Sequence, residues 1–368
     1  MTAQAPEQAQ APAQAPAVLR AAHIEYRVTD LERAAAFYVG LLGFVESARD
    51  PQRLYLRGYE EWLHHGLVLR RAPAPGVGHL AFRVAGPADL EALADLARRE
   101  GLPHRWVEGE EAGQGRALRL QDPAGLPLEF FHAMTPVARL LQAYDRYRGP
   151  GVMRLDHFNV QVPEVAPLAR WYQERLGFRC SELTETEEDP PRLWAIWLHR
   201  KQNVHDIALM TGLGPRVHHA GFWMTDTTAV LRACDVLAAA GQVAAIERGP
   251  GRHGLSNAFF LYLRDPDGNR LELYTGDYLI ADPDWPPIRW RLNDPRRATL
   301  WGHAPPRSWF DEASPVESVV DGTLLPVRPP VMEDRPRFVP SDAWRHVEQA
   351  RALDDPELLP APLWCWPP

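Results

Sequence analysis

The chain has 368 residues, 45% of them hydrophobic and 24% charged, which is enough for more than one domain with its own core. Its formal net charge of −8 argues against a nucleic-acid binder, which needs a basic face, and no apolar run is long enough to span a membrane. Its 3 cysteines, Cys180, Cys234 and Cys365, lie too far apart for metal-ligand spacing and build no disulfide framework, which fits a reducing cytoplasm.

In chain order, residues 1–20 open as an Ala/Gln/Pro mixture with neither a basic start nor an apolar h-region, so they read as a disordered tail and not as a signal peptide. A first module is expected over 21–135. Its alternating run Ile24 to Val28 is a strand by its period of two. A helix follows, N-capped by Asp30 and stopped by Gly43 in a left-handed conformation. Further strands carry His79 and Glu129, the latter delivered by the turn Asp122-Pro-Ala-Gly. Residues 136–152 read as a linker containing a short helical stretch, Val137 to Tyr144.

The second module, 153–278, repeats this plan. His23 is answered by His157, Phe37-Tyr38 by Trp171-Tyr172, Gly43-Phe44 by Gly177-Phe178, His79 by His219, and Glu129 by Glu272 behind Asp265-Pro-Asp-Gly. The spacing between matched positions drifts only slightly, as duplication of one module with small insertions requires. Each module reads as β-α-β-β-β, an α+β architecture. Residues 279–368 are rich in Pro and Trp and promise little regular structure. They read either as an arm laid on the surface or on a neighbouring subunit, or as a lid over a site.

His157, His219 and Glu272 are the candidate metal ligands. Two imidazoles and one carboxylate on one face of a metal form the facial triad of non-haem Fe(II) oxygenases, which leaves positions open for substrate and O2. The repeat selects His219 over its neighbour His218, because Gly78 stands where His218 does and strand alternation turns His218 to the other face. The intact residue types of His23, His79 and Glu129 leave a second site in the first module as an open question.

The runs Leu155-Asp-His157-Phe-Asn159, His205-Asp, Val217-His-His219, Glu247-Arg248 through His253-Gly-Leu-Ser-Asn and Asp265-Pro-Asp-Gly-Asn-Arg-Leu-Glu272 resemble the two-module extradiol catechol dioxygenases of the vicinal-oxygen-chelate superfamily. The resemblance covers about residues 20–310. It implies tandem glyoxalase-like modules, with the metal in a partly closed sheet of the second one only. It also implies Fe(II) or Mn(II), one per subunit, and a homotetramer that takes a catechol and O2.

The resemblance further makes His205 the acid-base residue near O2, Asn159 a polar neighbour of the O2 position and Trp197 an aromatic wall. The Tyr262 hydroxyl falls on a catechol oxygen. Arg248 and His253 match substrate-acid positions, and the stretch holding Arg296 and Arg297 resembles a second arginine contact. Together these imply cleavage of 3,4-dihydroxyphenylacetate to 5-carboxymethyl-2-hydroxymuconate semialdehyde. Another catechol is the alternative. A glyoxalase or isomerase of the same superfamily would lack His205 and the Arg248/His253 set, and a non-catalytic binding module would not need the intact triad.

Overall fold

The computed structural model describes residues 15–336; the expectations for residues 1–14, for Cys365 and for the end of the Trp-rich arm lie outside them. The β-α-β-β-β unit occurs twice in each module. The first module runs β1 (Val18–Val28), α1 (Leu31–Ala35), β2 (Val45–Arg49), β3 (Arg53–Arg57) and β4 (Leu67–Arg71). It then repeats as β5 (Gly76–Val84), α2 (Pro87–Glu100), β6 (His104–Val107), β7 (Ala117–Gln121) and β8 (Pro127–Phe131). The strands join in the order β2-β3-β4-β1-β5-β8-β7-β6.

The second module has the same plan: β9 (Val152–Val162), α3 (Val165–Leu176), β10 (Arg179–Glu185), β11 (Leu193–His199) and β12 (Ile207–Thr211), then β13 (Arg216–Met224), α4 (Thr227–Ala239), β14 (Ile246–Arg252), β15 (Phe259–Arg264) and β16 (Arg270–Thr275). Its strand order is β14-β15-β16-β13-β9-β12-β11-β10, extended at β10 by β17 (Ile288–Arg291) from the arm. The sheet has two hydrogen-bonding edges, yet residues from β9, β11, β13, β14, β15 and β16 line one hollow, so it wraps around that hollow.

Local chemistry explains the punctuation. Asp30 caps α1 by accepting from the Glu32 and Arg33 amides; a π-helical turn over Ala36–Leu41 continues it, and Gly43 (φ 76°) after that turn and Gly177 (φ 68°) after α3 take the left-handed stops. In both Asp-Pro-x-Gly turns the aspartate accepts backbone amides: Asp122 from Ala124, Gly125 and Leu126, and Asp265 from Asp267 and Asn269.

Two expectations need correction. The first strand starts at Val18, so Val18 to Arg20 belong to the sheet and not to a tail. Residues 137–144 form no α-helix; only Tyr144–Arg146 makes a short 3₁₀ turn. Amides that a helix would use internally go instead to the first module, from Val137 to the Trp62 carbonyl and from Leu140 to that of Tyr59.

One continuous apolar core spans both modules. Phe82 meets Phe158 edge-on at 5.6 Å, and Phe44 meets Phe222 at 5.1 Å. Each such buried ring stabilises by roughly 1.5–3 kcal/mol. Polar contacts reciprocate across the same joint: the Tyr38 hydroxyl donates to Asp265 and that of Tyr172 to Asp122, each at 3.1 Å.

The arm passes over both modules. It contributes β17, α5 (Pro295–Ala298) and α6 (Ser308–Asp311) to the second, where β18 (Ser314–Pro315) pairs with β13. It then bridges Val316 to Val77 and accepts from Arg105 at the Val319 carbonyl, 2.6 Å away, on the first. Among the described residues no helix is long and apolar enough to cross a membrane.

Candidate active site

Strand register assembles the three ligand candidates. On β9 and β13, His157 pairs with Gly221 and Asn159 with His219, while on β16 Glu272 pairs with the same Gly221. The three side chains therefore share one face around a residue with no side chain. That absence is required: a Cβ on Gly221 would lie 2.2–2.3 Å from the His157 ring. His157 Nε2 lies 3.0 Å and His219 Nε2 3.2 Å from Glu272 Oε2, with all three residues buried. Burial pushes the Glu272 carboxyl up, but the two imidazoles facing it overcome this and hold it well below its usual range.

His218 stands outside this set. A bulge in β13 brings its Nδ1 to 2.7 Å from His219 Nδ1, while its Nε2 is held 2.9 Å from the Trp309 carbonyl. A carbonyl only accepts, so His218 carries its proton on Nε2 and leaves Nδ1 to accept from His219. This fixes His219 with its Nε2 lone pair toward Glu272 and the hollow. Asp156 does the same for His157, accepting at 3.2 Å from Nδ1 while Asn203 holds its carboxylate at 2.6 Å.

The hollow beside the triad gathers most of the other sequence candidates: Asn159, Trp197, His205, Arg248, His253, Tyr262 and Arg297 all line it. The His205 ring sits 4.0 Å from that of His157, and burial drives its pKa well below the ordinary value. His253 Nδ1 donates to the Ala298 carbonyl, and its Nε2 lies 2.9 Å from the Tyr262 hydroxyl. Burial, then Arg248, lower the His253 pKa to about 3, so its Nε2 accepts the Tyr262 proton.

Arg248 is 2% exposed, packed over Phe260 and Trp309, with Nη2 donating to the Ala298 carbonyl and Thr299 Oγ1. Its Nη1 has no hydrogen-bond partner among the described residues, nor has Asn159 Oδ1.

The two adjacent arginines separate. Arg297 is buried against Trp194 with its Nε unpartnered among the described residues, whereas Arg296 turns away into a bidentate contact with Asp294. Arg296 is not part of the lining. Its phase on the short helix α5, one residue from Arg297, faces it outward.

Residues 20–130 and 154–273 each match the family model of the glyoxalase/bleomycin resistance protein/dioxygenase superfamily. The chain is 34% identical over 292 residues to the manganese-dependent 2,3-dihydroxybiphenyl 1,2-dioxygenase of Geobacillus genomosp. 3, covering 76% of this chain and 92% of that one. It is similar to homoprotocatechuate 2,3-dioxygenase of Arthrobacter globiformis, with a TM-score of 0.81, 43% identity and coverage of 85% and 96%. The Brevibacterium fuscum homoprotocatechuate 2,3-dioxygenase in complex with 3,4-dihydroxyphenylacetate gives a TM-score of 0.82, 42% identity and coverage of 88% and 100%.

The chain belongs to the extradiol dioxygenases of this superfamily. In this extradiol dioxygenase, sequence reasoning missed several residues that complete the site. Asp156 is visible only as the neighbour of His157. Trp309 packs edge-on to Tyr262 at 4.4 Å from the distant helix α6. Leu292, Pro295, Ala298, Thr299 and Phe310 likewise reach the hollow from the arm.

Proposed function

We propose that the chain cleaves 3,4-dihydroxyphenylacetate beside its diol, taking up O2 and giving 5-carboxymethyl-2-hydroxymuconate semialdehyde. His157, His219 and Glu272 would hold Fe(II) or Mn(II). Both ions accept this nitrogen-and-carboxylate donor set, and the chain is similar to a manganese-dependent dioxygenase. When bound, the metal supplies open coordination positions for the two catechol oxygens and for O2, and the electrons pass through it from one to the other.

The remaining work belongs to the protein. Tyr262, whose hydroxyl proton is directed at His253, turns its oxygen lone pairs toward a catechol hydroxyl and accepts its hydrogen bond. His205, held neutral by burial, stores or donates a proton at a ring nitrogen beside the O2 position. Asn159 offers its amide to the same place. Trp197, Trp309 and Phe310 exclude water.

The observation that carries the acidic substrate is Arg248 Nη1, a buried cationic donor without a partner among the described residues. Burial lowers this guanidinium to about 10, which leaves it charged at neutral pH. A buried, unpaired charge is costly, and a carboxylate on the substrate would relieve that cost with a charge-assisted bond. Arg297 Nε is the second such donor. Free Cys180 and Cys234 are compatible with a cytoplasmic enzyme, and kinship with the family supports a homotetramer.

Arg248→Met keeps the volume and removes the charge. It is expected to lower kcat/KM for 3,4-dihydroxyphenylacetate by about 10–100-fold while leaving 4-methylcatechol little changed. Equal losses on both substrates would contradict the clamp.

A further inference from the structure

The first module repeats the register of the active site residue by residue. Glu25 pairs with His79 as Asn159 pairs with His219, and Ala81 pairs with both His23 and Glu129 as Gly221 pairs with both His157 and Glu272. Leu67 pairs with Ile24 as Ile207 pairs with Phe158, which puts His65, two residues before the strand residue, in the place of His205. Arg119 pairs with Glu129 as Tyr262 pairs with Glu272. The cluster has one addition, Glu111, from the loop between β6 and β7.

We propose that His23, His79, Glu111 and Glu129 bind a second divalent transition-metal ion, structural in role, for which Zn(II) is the best match. The four ligand atoms lie within 4.8 Å of one another. His23 Nε2 stands 3.1 Å from His79 Nε2, 3.4 Å from Glu111 Oε2 and 3.2 Å from Glu129 Oε1, and His79 Nε2 stands 3.3 Å from Glu111 Oε1. Nitrogen and oxygen donors around a tetrahedral zinc are about 3.3 Å apart.

Hydrogen bonding explains the cluster less well. His23 Nε2 carries at most one hydrogen yet faces three partners, two of them carboxylates. His65 Nε2 lies 3.2 Å from Glu111 Oε2, and neither atom has a hydrogen-bond partner among the described residues. A dication at the common point satisfies the four ligands at once.

Structural rather than catalytic use follows from what surrounds the point. All four residues are buried, at most 3% exposed. Arg119, in the position of Tyr262, donates to Glu129 Oε2 and Glu111 Oε1, each at 2.6 Å. It thus orients both carboxylates and occupies the space a catechol needs. Four protein ligands and no open position describe a closed zinc site. Gln114 Nε2 donates to Glu129 Oε1 at 2.8 Å, and Glu25 stands behind His79 Nδ1 at 3.9 Å, as supporting groups around a metal do.

The test is metal content and anomalous diffraction of the full-length holoenzyme, as purified and after chelator treatment and reloading with ZnCl2, MnCl2 or anaerobic Fe(II). The wild type should hold two ions per chain, with separate anomalous peaks in the two modules. Glu272→Ala should lose the second-module peak and keep the one between His23 and Glu129. Glu111→Gln should do the reverse, and if that variant fails to fold, Glu272→Ala alone decides. One ion per chain, lost entirely in a folded Glu272→Ala protein, would overturn the second site and leave the active-site reading intact. A first-module peak without one at His157 would do the opposite.

Discussion

Arg119 and Tyr262 occupy the same place in the two modules, each directly across an antiparallel pair from the glutamate on the next strand. The arginine fills its pocket and ties down two carboxylates, whereas the tyrosine leaves space in front of Glu272. Arg119 in the place of Tyr262, with Glu111 added beside it, thus separates a filled cluster from one that faces a hollow.

Tyr262→Phe should therefore keep the metal and impair turnover. Losing a hydrogen bond to an ionising catechol costs about 1.5–3 kcal/mol, or roughly 10–150-fold in kcat/KM. Steady-state kinetics with 3,4-dihydroxyphenylacetate, alongside metal analysis, reads both. An unchanged kcat/KM would remove Tyr262 from the reaction.

Gly221→Ala should disrupt the metal centre without unfolding the chain. The new Cβ would meet the His157 imidazole at 2.2–2.3 Å, so the ring must swing away from Glu272. Metal affinity at the second module is expected to fall by about 10–100-fold, as for misoriented ligands elsewhere. Calorimetric titration of the metal-free protein with MnCl2 measures it, and wild-type affinity would show that the ring is not pinned there.

The reciprocal pairs Tyr38–Asp265 and Tyr172–Asp122 should hold the modules together. Tyr38→Phe and Tyr172→Phe are each expected to lower stability by about 1 kcal/mol in urea titrations. Their sum should be additive, since the two pairs share no atom.

The same joint carries a pH dependence. Burial raises the Asp265 carboxyl from its ordinary 3.8 to about 6, against the pull of its hydrogen bonds from Asn269 and Tyr38. Because the folded value lies above the unfolded one, its contribution to stability is complete below about pH 4 and is lost as pH rises through 6. Between pH 5 and 7.5 the wild type should lose about 1 kcal/mol relative to Asp265→Asn. A constant difference between the two proteins across that range would mean that Asp265 titrates normally.

The triad was legible because each member sits in a short pattern that repeats. The period-two strand from Phe158 to Val162 behind His157, the His219-Ala-Gly step and the Asp-Pro-x-Gly turn are local, so their geometry survives without knowledge of the rest of the chain. The roof was not legible: Trp309 and Thr299 reach Tyr262 and Arg248 through an arm of little regular structure, whose course depends on distant contacts. The stretch 137–144 has a helix former's composition, yet tertiary bonds to Trp62 and Tyr59 override that propensity. Choosing Arg297 over Arg296 needed the phase of a four-residue helix, which sequence spacing alone does not give.

The most direct measurement is ring cleavage. Protein loaded anaerobically with Fe(II) or Mn(II) is mixed with 3,4-dihydroxyphenylacetate, catechol or 3,4-dihydroxybenzoate and exposed to O2. The yellow product is identified by mass, and ¹⁸O2 labelling follows the oxygen. The expected product is the carboxymethyl semialdehyde, formed fastest from the phenylacetate, with oxygen from O2 incorporated. A fully metal-loaded protein that leaves all three catechols uncleaved would contradict it.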